Sequence, residues 1–309
     1  MISSFLIVGE QIVIVFALMA IGFICGKLKI INSSISKGLS SIAVNLTIPA
    51  TILMSFHRAF DAVLLKDFLF SAAIGAVMYA VCIPLSILTI REKSDKRRNV
   101  IRSAVIFCNC AMMAMPLESA LLGADGVFFG AAHAGLFNLI FWTYALYIIS
   151  GSSGKVDLKK ALLNPCILCT FAGMILFLFN ISLPKITYTI IGKVSDMNLP
   201  LSMMIIGYTI SSTNIGDVLS DKWCWLAALE RLVIVPMILL GLLLLIGKSG
   251  TAAITAVLTA ASPAAASINI LAVIYGKDEK LAAGLVSIST ILSLLTLPVV
   301  AAVAQTLLA

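Results

Sequence analysis

Charge is what this sequence has least of. Of its 309 residues only 11% are charged, against 61% hydrophobic, where soluble domains carry about 25% and 45–50%. So little polar surface cannot cover a water-soluble globule of this size, and the mean hydropathy of +1.12 agrees. A cytosolic enzyme and a disordered chain are both excluded. Histidine is scarce: His57 and His133 are the two copies, and neither has a candidate partner nearby in sequence. G-x-S-x-G, H-E-x-x-H and phosphate-loop motifs are missing. The chain is therefore not read as an enzyme, calls for no cofactor or metal, and hydrolyses no ATP. It has no basic leader, and Glu10 interrupts the first apolar stretch, so no cleavable signal is expected.

What is present is a series of long apolar runs. Residues 68–90, 161–184, 197–216, 249–276 and 281–309 are free of charge. They are continuous rather than alternating, which fits membrane helices of about 20 residues and not an outer-membrane barrel. The pattern predicts ten spans, near 5–26, 38–57, 67–90, 100–122, 126–149, 160–180, 188–212, 222–247, 251–275 and 281–305. Under this division fifteen basic residues fall in odd-numbered loops and five in even-numbered ones. The bias places the odd loops in the cytoplasm and both termini outside. In a soluble protein the net charge of +7 would suggest nucleic acid; here the lysines and arginines separate apolar runs, so they report topology and no nucleic-acid partner is expected. The seven cysteines fall almost entirely inside apolar runs. The Cys166–Cys169 pair lacks a histidine or a second pair, and is read as helix packing.

The Ser150–Gly154 stretch (Ser-Gly-Ser-Ser-Gly) is the one linker-like segment, and it divides the chain into residues 1–150 and 155–309. Five spans on each side makes two related halves inverted in the membrane, a transporter architecture. Pro49 and Pro200 are 151 residues apart, and Pro116 and Pro263 are 147 apart. Both pairs sit in corresponding spans of the two halves. Counted at 1.5 Å per residue, Pro116 and Pro263 lie about 21 and 18 Å into spans four and nine, near mid-bilayer. An interior proline removes an N–H and clashes with the preceding turn. In lipid such a break survives where it lines a cavity or is buried in protein. Two broken helices meeting at their N-terminal ends would attract an anion without a fixed cation.

Polar residues gather at the same depth. Asn109 lies about two turns before Pro116, Ser262 precedes Pro263, and Asn269 follows it. Their side chains either hydrogen-bond a carboxylate or pack helices together. Glu118, two residues past Pro116, is a proton carrier, a cation ligand, a neutral acid or a vestibule residue. Arg231 either attracts anions or reaches back to the cytoplasmic interface.

These residues resemble the auxin efflux carrier family, which includes plant PIN proteins and bacterial malonate and malate permeases. The resemblance runs the full length. It is carried by Gly22 to Lys27, by Gly38 through Asn45 to Pro49, by Asn109 and Met115-Pro116-Leu117, by Pro200 to Gly207, and by Arg231 to Pro236. The C-terminal stretch from Pro263 through Tyr275-Gly276 to Pro298 is the strongest match. Ala114 stands where the family has glycine, Glu118 where it has an apolar or small residue, and Asn269 where a less polar one is expected.

The resemblance implies an all-α integral membrane fold of the sodium/proton-antiporter and bile-acid-transporter type, with ten helices in two inverted five-helix repeats. Spans four and nine would be broken and cross at Pro116 and Pro263. Spans one, two, six and seven would form a scaffold, and spans three to five and eight to ten a moving domain. A small organic anion would bind near the crossing and be carried by an elevator motion, with homodimers formed through the scaffold. The expected binding residues are Asn45, Asn109, Pro116, Ser262, Pro263 and Asn269, with Glu118 the candidate for proton or sodium coupling. The expectation is thus a plasma-membrane secondary transporter of a carboxylate such as malonate, malate or an auxin-like acid. The alternatives are an ion-coupled carrier of a cationic or zwitterionic solute, and a membrane receptor that binds without transport.

Overall fold

The computed structural model describes residues 2–150, 162–212 and 220–309; the expected linker after Ser150 and the boundary between the two halves lie outside the described residues. What is described is helical, with one isolated antiparallel bridge, Cys108 to Ala264. The helices are α1 (Ile2–Lys27), α2 (Ser33–Phe56), α3 (Ala62–Thr89), α4 (Asp95–Ile106), α5 (Cys110–Ser150), α6 (Pro165–Leu178), α7 (Lys185–Asp196), α8 (Asn198–Ser212), α9 (Lys222–Leu245), α10 (Thr251–Ala261), α11 (Ser267–Ile274) and α12 (Glu279–Leu308). Among them α2, α3, α5, α9 and α12 are long and apolar enough to cross a membrane, and shorter apolar helices accompany them. α5 bends at Gly123, whose φ of 65° and ψ of −149° are open to a residue without Cβ.

Helix starts follow from local chemistry. Asn32, Asp61, Asn164, Asp221 and Asp278 each accept a hydrogen bond from a backbone N–H two or three residues on, satisfying a donor that the first turn leaves without a helical partner. Prolines are handled in a recurrent way. Pro49, Pro116 and Pro236 each follow a single wide turn, over Ala43–Thr47, Cys110–Ala114 and Glu230–Ile234. At the end of each, the N–H before the proline reaches back five residues: Ile48 to Ala43, Met115 to Cys110, Val235 to Glu230. The extra residue in the turn gives the proline ring room where the helix would otherwise break.

Two packing groups emerge. α1 lies along α8, and α2 packs on α6 and α7. The α1–α8 contact is backbone against backbone: a Cβ on Gly22 would fall 2.2 Å from the Met204 carbonyl oxygen, and one on Gly207 1.9 Å from that of Met19, the close approach that small residues permit between membrane helices. The proline motifs of α2 and α8 meet here too, with Thr47 donating to Asn198 Oδ1 at 3.5 Å and Ser195 to Thr51 at 3.1 Å. The second group is built on α10, which is buried along its whole length and packs against α3, α5, α9 and α12.

Contacts between connections fall into two sets. Arg58 pairs with Asp125, the Leu183 N–H donates to His57 Nε2 at 3.0 Å, Lys248 lies 3.6 Å from Asp67, and the Gly250 N–H reaches the Leu308 carbonyl at 2.6 Å. In the ten-span division expected from the sequence, all of these fall in or at the edges of even-numbered loops, or at the C-terminus. Arg97 pairs with Asp221 and, at 3.1 and 3.6 Å, with Asp278 and Glu92, all in odd-numbered ones. Burial works against the Arg97 charge, but Asp221 and Asp278 outweigh it and raise its pKa above the ordinary arginine value.

Candidate functional site

Both expected breaks occur, and they face each other. α4 ends at Ile106 and the chain resumes as α5 at Cys110; α10 ends at Ala261 and resumes as α11 at Ser267. The backbones between them pair. The Asn109 N–H donates to the Pro263 carbonyl at 2.7 Å, the Ala265 N–H to the Phe107 carbonyl at 2.9 Å, and the Ala264 N–H to Ser289 Oγ at 3.1 Å. Non-helical backbone deep among apolar helices must find such partners, because lipid supplies none. Each break thereby satisfies the other.

One expectation is refined here. The first crossing strand is Phe107–Asn109, seven residues before Pro116 at its nearer end, and not Pro116 itself. Met115 is helical, with φ −60° and ψ −42°, and Pro116 sits in the first turn after the wide turn, where a missing N–H costs nothing. Pro263, by contrast, lies in the second crossing strand as expected. The residue before it, Ser262, is extended at φ −70° and ψ 147°, the conformation a following proline favours.

On one side of the crossing opens a cavity of about 1330 Å³. Its wall runs from the crossing to the odd-numbered connections, where Lys37, Arg97, Asp221, Asp278 and Lys280 stand. The first turns of α5 and α11 contribute to it through Cys110, Ala111 and Ser267. The Ile268 and Asn269 N–H groups of α11 are taken by the Ala265 and Ala266 carbonyls, and those of Met113 and Ala114 by the Asn109 carbonyl, so what the two helix starts bring to this wall is their positive dipole ends. Phe137, Phe141 and Trp142 of α5 give it an aromatic side. Across from them, α2 and α8 contribute Ser41, Val44, Ile206 and Thr209. The cavity therefore lies between the two packing groups.

The sequence matches the membrane transport protein family over residues 7–301. A Methanothermobacter thermautotrophicus protein described as an uncharacterized transporter is 25% identical over 294 residues, covering 94% of this chain and 96% of that protein. A second uncharacterized transporter, from Methanocaldococcus jannaschii, is 22% identical over 304 residues, covering 93% and 96%. The chain belongs to the auxin efflux carrier family of membrane transport proteins.

Of the site residues expected from the sequence, the transporter brings Asn109 and Asn269 into the cavity wall. Pro263 and Ser262 are buried behind it; Ser262 Oγ donates to the Leu258 carbonyl at 3.1 Å. Pro116 is buried in the first turns of α5. Asn45 lies on the wide turn of α2, one turn beyond the wall residue Ser41, and its Nδ2 donates to the Ser41 carbonyl at 2.9 Å. Glu118 is 1% exposed and packs inside the α10 group. Its Oε1 accepts from Thr259 at 2.6 Å, its Oε2 has no hydrogen-bond partner among the described residues, and a Cβ on Gly130 would fall 2.1 Å from that oxygen.

Arg231 does not reach back to an interface. It is 0% exposed and projects from the wide turn of α9 to the closed ends of both half-helices. Its Nη1 donates to the Val105 and Ile106 carbonyls at 3.0 and 3.4 Å, and its Nη2 to the Ala260 carbonyl. The sequence marks Arg231 as an intramembrane charge but carries no signal for its acceptors, which are backbone carbonyls on two distant segments and the sulfurs of Cys82 and Met78 on a third. Other wall residues, Asn138 of α5 and Thr290 of α12, are ordinary polar residues on apolar helices with no local mark.

Proposed function

We propose that this chain is a secondary transporter of a small organic carboxylate, working by alternating access. The observation that carries this reading is the cavity itself, which ends on two crossed helix breaks where the first turns of α5 and α11 converge. The positive ends of the two helices suit a carboxylate, Asn109 and Asn269 give it orientation, and the aromatic side accepts an apolar body. In this reading the helices form ten spans in two inverted five-helix halves. Support comes from the two separate sets of connection contacts, and from the crossing of α4–α5 with α10–α11. The cavity opens at the end carrying most of the basic residues, which the charge bias assigns to the cytoplasm, with both termini on the other side. The opposite end is closed by Arg58 and Asp125 over a cluster of Phe56, Phe68, Phe128 and Phe177, whose ring centroids lie 4.7 to 5.5 Å apart. An elevator motion would slide the α10 group past the frame of α1, α2, α6, α7 and α8, with the cavity wall as the sliding surface.

The test is uptake of labelled malonate, malate and indole-3-acetate into proteoliposomes, with and without proton and sodium gradients, beside an Asn109→Ala control. Saturable flux of one acid, lowered about tenfold by loss of the asparagine's hydrogen bonds, is the expected result. Folded protein that moves no acid under any gradient overturns the reading. Coupling to an ion is the second reading, favoured by the buried and half-satisfied carboxyl of Glu118; Glu118→Gln should then abolish gradient dependence while leaving exchange.

A further inference from the structure

Four half-helix ends converge on the crossing. α5 and α11 begin there and carry roughly +0.5 of an elementary charge each; α4 and α10 end there and carry roughly −0.5 each. Left alone these sum to nothing, and the crossing has no preference for an anion. Arg231 changes the balance. Its guanidinium holds carbonyls of both terminating helices; its remaining contacts are to neutral sulfurs of α3, Cys82 Sγ at 3.9 Å and Met78 Sδ at 4.0 Å. It is fully buried, and among the described residues no carboxylate forms an ion pair with it. The two buried acids of this group, Glu118 and Glu230, make no such contact. A full positive charge thus sits on the negative ends, behind the cavity wall and out of reach of anything in the cavity.

We propose that Arg231 is a positioning residue that sets the sign of the potential at the crossing. By neutralising the carbonyl ends of α4 and α10 it leaves the N-terminal ends of α5 and α11 unopposed, and so makes the crossing attract anions without touching them. This rests on the reading of the cavity as an anion site but extends it, because it assigns the charge preference to a side chain the substrate never meets.

The test needs no knowledge of the substrate. Ala266 is exposed in the cavity wall beside the second crossing strand, so a cysteine there samples the local potential. Ser40, in the wall on α2, provides a distant reference. Ala266→Cys and Ser40→Cys are treated with an anionic sulfonatoethyl and a cationic trimethylammonioethyl methanethiosulfonate. Modification of each site is followed by peptide mass spectrometry, so the native cysteines stay in place. With Arg231 intact, the anion-to-cation rate ratio at position 266, corrected for free-thiol reactivity, should exceed that at position 40. Arg231→Met and Arg231→Gln should lower the ratio at 266 by about tenfold, the scale of one unit charge at effective protein dielectric, and leave position 40 within about twofold. Arg231→Lys should restore it.

A ratio that survives Arg231→Gln would show that the residue acts as a hydrogen-bond donor alone, and would overturn the proposal. So would a protein with Arg231 intact that shows no anion preference at 266, which decides the matter if no variant folds. Failure of uptake with the ratio behaving as stated would remove the tested substrates and leave the role of Arg231 standing; uptake with an indifferent ratio would do the reverse.

Discussion

The first helix break spans residues 107–109 and holds no proline, whereas the second spans 262–266 and contains Pro263. The second is written into the local sequence: Pro263 disfavours a helical Ser262, so α10 must stop there whatever surrounds it. The first has no such cause. Phe107 leaves the helix, at φ −103° and ψ 112°, because its carbonyl and the Asn109 N–H have partners in the second break. One break is imposed by covalent geometry and the other by the strand it pairs with. Their prolines should therefore not be equivalent. Pro263→Ala frees Ser262 to continue α10 and strips the Asn109 N–H of its acceptor geometry. Uptake should fall at least about tenfold, the worth of a lost hydrogen bond at the site. Pro116→Ala restores an N–H just past the wide turn that already accommodates its absence, and should keep uptake within about twofold. Equal losses in the two variants would return Pro116 to the role that the sequence first suggests for it.

The same comparison explains what could be read in advance. Apolar runs point to the segments in which the described helices lie, because in lipid a span needs little besides length and apolarity; they do not show that residues 185–212 hold two helices, α7 and α8, or that Cys110–Ser150 runs on as one. Pro263, Asn109 and Asn269 stood out as polar or helix-breaking residues at mid-span. The rest of the site depends on contacts between segments far apart in sequence. The Phe107–Asn109 break is created by its partner. Arg231 finds its acceptors 29 and 126 residues away. Thr259 looks like any threonine in an alanine-rich helix until Glu118 is seen against it. The displacement of the first break from Pro116 has a local reason that the sequence does hold, since a wide turn before a proline can absorb its missing N–H. That device is visible only once the same turn is seen before Pro49 and Pro236.

Glu118 and Thr259 tie the helix that follows the first break to the helix that precedes the second, and Gly130 leaves them just enough room. Gly130→Ala would drive its new methyl into Glu118 Oε2, 2.1 Å away. The expected cost is about 1–3 kcal/mol, as for other overpacked sites, seen as a lower thermal midpoint in detergent. Thr259→Val removes the hydroxyl while keeping the shape, and should cost about 1 kcal/mol, as for one buried hydrogen bond. The two variants combined should lose less than the sum of their separate effects, because both act on one contact. Strict additivity would mean that Glu118 does not join the breaks.

The smallest expected effect lies where the helices that lead into the two breaks begin. α10 starts at Gly250 and Thr251 with no acidic residue in its first turn. α4 is preceded by Glu92, whose carboxylate accepts from the Ser94 N–H at 3.2 Å and lies 3.6 Å from Arg97, itself held by Asp221 and Asp278. The backbone donors at Ser94 and Lys93, and then the Arg97 charge, outweigh the opposing effect of burial and hold the Glu92 carboxyl below its usual value of 4.5. A group whose folded pKa is depressed contributes stability above its unfolded value and loses it as pH falls through the folded one. Glu92→Gln should therefore lower the thermal midpoint slightly at about pH 7, and the gap from the unsubstituted protein should close as the pH is taken below about 4. Glu92 is half-buried at the surface, so the gap should also shrink in high salt. A gap that stays constant with pH would mean that Glu92 acts through shape alone, and that the entry to the first break is no more charge-dependent than the entry to the second.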